Sequence, residues 1–191
     1  VVSCILMASG HSRRLGRDKL FVEYRGKTLL ETTIERLVKA GLDEIIIVYR
    51  DRRALEIAER YSLVAVYNEN SELGQSESIR LGIKSADANA DGYMFSVVDQ
   101  PFMEVQTVED LLELFKKGED KIVAPVCKGR RGNPVIFPTD LKGELLALEG
   151  DTGGKTVIEN HLDRVNYLEV EELELFDIDR ESDLDALNRR G

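Results

Sequence analysis

Short apolar runs alternate with amphipathic segments along the N-terminal part of the chain, and this alternation limits the possible folds more than any other feature. Val1–Ala8 (VVSCILMA) is an apolar run ending in a polar, glycine-containing loop, the pattern of a buried strand that feeds a turn. Thr28 then precedes Leu29 and Leu30, with Glu31 three positions on, so the two polar residues form a capping box for a helix that runs to Ala40 and stops at Gly41. A second β-branched run, Glu44–Tyr49, is followed by a helix over about Arg53–Arg60 and a third strand, LVAVYN. Ser76–Ser85 reads as a helix, Gly92–Asp99 (GYMFSVVD) as a strand, and Thr107–Lys117 as a helix closed by Gly118. Such an order predicts an α/β fold, a mostly parallel sheet with helices on both faces.

Past Gly118 the pattern loosens. Ile122–Cys127 and Pro134–Phe137 are strand runs joined by a short basic loop, which makes part of the later sheet antiparallel. A helix is expected near Leu141–Leu148, a glycine loop at Gly150–Gly154, and further strands at VNYLEV and ELFDI.

A chain of 191 residues suits one domain, 1–191, and 42% hydrophobic with 32% charged residues is the balance of a packed globular protein. Its formal net charge of −10 argues against general nucleic-acid binding, which needs a basic surface. The basic residues are instead focused: Arg13, Arg14, Arg17 and Lys19 in one cluster, Lys128, Arg130 and Arg131 in another. An acidic body with focused basic loops suits a small polyanion. Cys4 and Cys127 sit inside apolar runs, lack zinc or redox spacing and read as buried reduced thiols. The first apolar run is too short to span a membrane, so a cytoplasmic location is expected.

Several segments carry the chemistry. The loop from Ala8 to Lys19 (ASGHSRRLGRDK) follows a buried strand; Gly10 and Gly16 let backbone amides approach a ligand, and Arg14 and Lys19 add charge for phosphate oxygens. It lacks the Gly-Lys-Ser/Thr ending of a P-loop and the GxGxxG of a dinucleotide fingerprint, and it also reads as a tight turn with solvated arginines. Asp99, in Val98-Asp99-Gln100-Pro101, lies where open α/β sheets bind ligands; it suits a magnesium ligand, and equally a turn or cap aspartate. In Asp177-Ile178-Asp179, strand alternation would put both acids on one face, as a second metal ligand or a solvated strand end. Three loops remain: Gly74–Ser78, whose helix start at Ser76 could meet an anion, Gly129–Pro134, and Gly150–Lys155.

Taken together, these segments resemble the molybdenum cofactor cytidylyltransferases, nucleotidyltransferases that use the loop AAGxSxRxGxxK. The resemblance runs from Met7 to Leu187, with GQSxS, DQP, RGNPV, GDxGG and DID segments in family order. It implies a three-layer α/β/α sandwich of the nucleotide-diphospho-sugar transferase type, CTP as donor, molybdopterin as acceptor, Mg²⁺ as cofactor and pyrophosphate as leaving group. Ala8, Ser9, Gly10, Ser12, Arg14, Lys19, Gln75 and Ser76 would then bind the nucleotide, with Arg14, Lys19 and Asp99 catalytic. Asp99 and Asp179 would hold the metal, and Arg131, Gly132, Asn133, Gly153 and Gly154 would line the acceptor side. The attacking phosphate is already ionised, so no general base is required, and the product would pass to a molybdenum hydroxylase.

Two departures stand out. Ser9 replaces the second Ala of the cytidylyl pattern, where guanylyl-transferring relatives carry Gly, and Lys155 replaces an Arg. The rivals are a guanylyltransferase on the same cofactor, a cytidylyltransferase on a sugar or polyol phosphate, and a non-catalytic cofactor carrier.

Overall fold

The computed structural model describes residues 1–118 and 120–190. In chain order the elements are β1 (Val2–Ala8), a small hairpin of β2 (Glu23–Tyr24) and β3 (Lys27–Thr28), α1 (Leu29–Lys39), β4 (Glu44–Tyr49), α2 (Arg52–Arg60) and β5 (Val64–Tyr67). There follow α3 (Gln75–Ser85), β6 (Gly92–Ser96), α4 (Val105–Lys117), β7 (Ile122–Cys127), β8 (Arg130–Arg131), β9 (Val135–Pro138), α5 (Lys142–Leu146), α6 (Lys155–Asn160), β10 (Val165–Glu169) and α7 (Glu181–Arg190).

The main sheet runs β10-β7-β9-β6-β1-β4-β5, with β8 paired to β7. The pairs β1–β4, β1–β6, β4–β5 and β7–β10 are parallel, whereas β9 is antiparallel to both β6 and β7. The sheet is therefore mixed and mostly parallel, as the spacing of the later strand runs predicts.

Helices cover both faces because successive strand residues point opposite ways. Leu6, Ile47 and Met94 pack with buried residues of α1, α2, α4 and α7, including Ile34, Ala54, Leu111 and Leu187. Their neighbours Ile5, Val48 and Phe95 pack with Ile79 and Ile83 of α3, Leu145 of α5 and Val157 of α6. The result is an α/β/α sandwich. The expected capping box of α1 is present: Thr28 accepts from the Glu31 amide (3.1 Å), and Glu31 accepts from the Thr28 amide (3.0 Å). No helix among the described residues is long and apolar enough to cross a membrane.

Two expectations are corrected. The strand expected over Gly92–Asp99 ends at Ser96, so Asp99 belongs to the turn beyond it. ELFDI is no strand: Glu172–Leu175 forms a 3-10 turn, and the buried residues Leu175 and Ile178 lie three apart rather than two. Burial, not sheet pairing, explains their apolar character. The Ile178 amide still fixes this segment to the sheet edge by donating to the Asp99 carbonyl at 2.8 Å.

Candidate active site

The loops after β1, β4, β5 and β6 emerge at one edge of the sheet, the edge where parallel α/β sheets bind ligands. The loop from Ser9 to Asp18 is shaped by its own polar groups. Ser12 Oγ accepts from the Lys19 amide (3.0 Å), Gly16 takes the left-handed φ of +76°, and Asp18 caps the turn Lys19–Phe21 through the Leu20 amide (3.2 Å). Leu15, 4% exposed, anchors the middle in the core. From the end of β4, Arg50 donates to the Gly10 carbonyl (3.2 Å) and to Asp18 (2.9 Å), bracing both ends of the loop. His11 lies 3.1 Å from Ser71 Oγ.

Ser9 turns away from the open side of this loop. Its hydroxyl lies 2.6 Å from Ser78 Oγ, and Asn68 Nδ2 donates to both hydroxyls, at 3.0 and 3.1 Å. The Asn68 carbonyl oxygen Oδ1 accepts from the Asn70 amide (3.1 Å). All three side chains are buried, so the polar groups satisfy one another and tie β1, β5 and α3 together.

The charged centre lies beside this network. Lys19 Nζ donates to the Ile178 carbonyl at 3.1 Å and stands 3.7 Å from the Asp99 carboxylate. Burial pushes the Asp99 carboxyl above the usual carboxylate range, and the Lys19 charge opposes that shift. Arg14 donates to Asp179 at 3.0 Å, and this bond holds the Asp179 carboxyl below its ordinary range, with Lys19 contributing.

No group of three or more His, Cys, Asp or Glu side chains that would cage a metal occurs among the described residues. Magnesium bound with a nucleotide needs only one or two carboxylates, since phosphates and water complete its oxygen shell, and Asp99 and Asp179 fit that donor set.

The turn carrying Asp99 is clamped from below by two buried charges. Arg36 donates to the Pro101 carbonyl (2.8 Å) and the Gln100 carbonyl (3.5 Å), and Glu174 accepts from the Glu104 amide (3.1 Å) and Thr107 Oγ1 (2.5 Å). Burial lowers the Arg36 guanidinium to about 10, against the favourable charge of Glu174.

At the start of α3, where the sequence suggests an anion site, the first two amides are engaged within the fold. The Gly150 carbonyl takes both the Ser76 amide (3.2 Å) and hydroxyl (2.7 Å), while Asp151 takes the Gln75 amide (3.3 Å). These groups are spent on holding the Gly150–Gly154 loop. A glycine is required at position 74, where φ is +95° and a Cβ would meet the Asp151 backbone at 2.5 Å. Gly153 faces the Gln75 side-chain carbonyl and Gly154 faces Phe137. Gln75 is exposed, whereas Ser76 is buried.

Arg131, Gly132 and Asn133 form a separate group. The Gly132 amide bonds the Pro125 carbonyl (2.9 Å), a Cβ there would strike Leu175, and the Asn133 amide donates to Gln100 Oε1 (3.1 Å). A cleft of about 710 Å³ opens beside the first loop, between Phe21, Arg53, Leu184 and Leu187; neither Lys19 nor Asp99 lines it.

The structure thus joins Lys19 with Asp99 and Arg14 with Asp179, and joins Gln75 and Ser76 to the Gly150 loop rather than to the first loop. Arg50, Asn68, Arg36 and Glu174 have structural roles at this edge that no motif announced, and Ser78, the last residue of the GQSxS segment, serves the buried network. Of the first four, only Asn68, a polar residue closing an apolar run as Ser9 does, left a trace in the sequence.

Residues 4–165 match the MobA-like NTP transferase domain. The chain is 26% identical to the purine catabolism protein PucB of Bacillus subtilis, over 97% of this chain and 95% of that one. It is 29% identical to the nicotine blue oxidoreductase of Paenarthrobacter nicotinovorans (82% and 81%) and 26% identical to a probable molybdenum cofactor guanylyltransferase of Bacillus licheniformis (96% and 94%). A crystal structure of Rv0371c from Mycobacterium tuberculosis with manganese superposes with a TM-score of 0.80 over 100% of this chain and 99% of that one, at 22% identity.

Proposed function

The chain belongs to the MobA-like NTP transferase family, and from that premise we propose that it transfers CMP from CTP to the terminal phosphate of molybdopterin, as one domain over residues 1–191. An oxygen of the acceptor phosphate attacks the α-phosphorus, the bond from that phosphorus to its bridging oxygen breaks, and pyrophosphate leaves.

One observation carries this reading: the Lys19 ammonium is fixed at the mouth of the glycine-containing loop, between the Ile178 carbonyl and Asp99. A cation held in place costs no reorganisation when charge develops on transferring phosphoryl oxygens. Arg14, released from Asp179, adds a second donor for the triphosphate, and the amides around Gly10 and Ser12 complete the cradle. Asp99 and Asp179 would hold Mg²⁺, which neutralises phosphate charge. Arg131, Asn133 and the Gly153–Gly154 turn would line the acceptor side, so catalysis is alignment and charge neutralisation with no protein base.

Position 9 supports cytosine. The Ser9 hydroxyl is engaged with Ser78 and Asn68, so toward a ligand this position has the bulk of alanine rather than the open backbone of glycine. The second reading, GTP as donor, is favoured by the name of the Bacillus licheniformis relative.

Pyrophosphate release decides between them. With Mg²⁺ and molybdenum-loaded molybdopterin, acceptor-dependent release from CTP is expected; release from GTP alone would transfer the assignment to guanylyl transfer. No release from either would remove the reading.

A further inference from the structure

Gln100 is 4% exposed and uses both ends of its amide. Oε1 accepts from the Asn133 amide at 3.1 Å, and Nε2 donates to one oxygen of Asp177 at 2.8 Å. The other Asp177 oxygen accepts from Arg130 at 3.0 Å, and Arg130 also donates to the Leu175 carbonyl. The four residues close a ring between two segments: Arg130 opens the short strand β8 and Asn133 follows it, while Asp177 lies beside Ile178, whose carbonyl holds Lys19. Gln100 is itself the neighbour of Asp99.

Among the described residues, none of the hydrogen bonds that shape the Ser9–Asp18 loop goes to Gln100, Asn133, Arg130 or Asp177. The ring therefore touches the nucleotide side only through Asp99 and Ile178, at the reacting centre, and braces the opposite loop.

We propose that Gln100 and Asp177 are positioning residues that fix the 130–133 loop against Lys19 and Asp99, and so set affinity for the phosphorylated acceptor rather than for the nucleotide. The inference rests on the nucleotidyltransferase reading and on that loop facing the acceptor. In this reading Asp177, engaged by two donors, is a brace.

The bond from Gln100 to Asp177 has a direction, which gives a test that general loss of packing would not imitate. Gln100→Glu sets two carboxylates against each other, and Asp177→Asn removes the charge facing Arg130. In the double variant donor and acceptor change places, so the bond is restored in reverse. Each single variant is expected to raise the KM for molybdenum-loaded molybdopterin about tenfold, the size of a typical coupled pair, with the CTP–Mg²⁺ Kd changed by less than about twofold. The double variant should regain most of the loss, and amide hydrogen exchange across residues 129–133 should speed up in the singles and slow again in the double. Thermal melting checks that all three fold. Wild-type turnover with unchanged acceptor KM in the singles, equal loss of CTP affinity, or no recovery in the double would overturn this inference alone. A wild-type protein that binds CTP but shows no acceptor-dependent turnover overturns the functional reading, and this inference with it.

Discussion

The Lys19 ammonium stands 3.7 Å from the Asp99 carboxylate, although the two lie far apart in the chain, Lys19 opening the turn that closes the first loop and Asp99 lying beyond the end of β6. Their approach follows from β1 and β6 being parallel neighbours, which delivers both following loops to one edge. If Lys19 neutralises the transferring phosphoryl group, Lys19→Met should lower kcat by roughly 10²–10³-fold, the cost of losing one fixed electrostatic donor. Steady-state kinetics beside a far-UV spectrum checks this. A folded variant with wild-type kcat would make Lys19 merely a structural partner of Ile178.

The Ser9–Asn68–Ser78 network is buried, and Asn68 donates to both hydroxyls while accepting from Asn70. Asn68→Ala removes the shared partner and is expected to destabilise the protein by about 1–3 kcal/mol. Ser9→Ala should cost less, because Asn68 and Ser78 still bond each other. Urea unfolding of both variants gives the order; equal losses would mean that Asn68 is not the centre of the network.

Arg36 holds two backbone carbonyls of the Asp99 turn from inside the core, near Glu174. Arg36→Met fills similar space but leaves the Pro101 carbonyl without its donor, the Gln100 carbonyl with the Met103 amide alone (3.4 Å), and Glu174 without a nearby opposite charge. A loss of about 1–3 kcal/mol is expected, the cost of leaving a buried carbonyl without its donor. A melting temperature equal to that of the parent would rule out the clamp.

Glu31 accepts from the Thr28 amide, and this bond, with help from the Thr28 hydroxyl and Arg60, holds its carboxyl below the ordinary glutamate range. A carboxyl lowered on folding stabilises the protein above its unfolded-state pKa, about 4.3, and that stability is lost as pH falls through the lowered folded value. Glu31→Gln should therefore be less stable by about 1 kcal/mol at neutral pH. The gap should close in strong acid, where both proteins carry a neutral group. A gap of the same size near pH 2 and pH 7 would show that the charge contributes nothing.

The alternation of strands and helices, the capping box at Thr28 and Glu31, and the reversed strand after Cys127 were all legible in the sequence. These features depend on neighbours within a few residues, and on burial periods of two for strands and about 3.6 for helices. The loop from Ser9 to Lys19 was legible for the same reason, since its glycines and basic residues are contiguous. What only the tertiary structure decided are the long-range partners. Ser76 shows no local sign that the Gly150 carbonyl will take its amide, and ELFDI alternates like a strand until Leu175 and Ile178 are seen to be buried three residues apart. The buried polar groups follow the same logic: Asn68, Gln100, Arg36 and Glu174 find their partners across strands and loops, because a buried donor or acceptor must be satisfied by whatever the fold brings near it. The sequence determined which elements form and where a phosphate loop lies; the packing of those elements decided which charges meet.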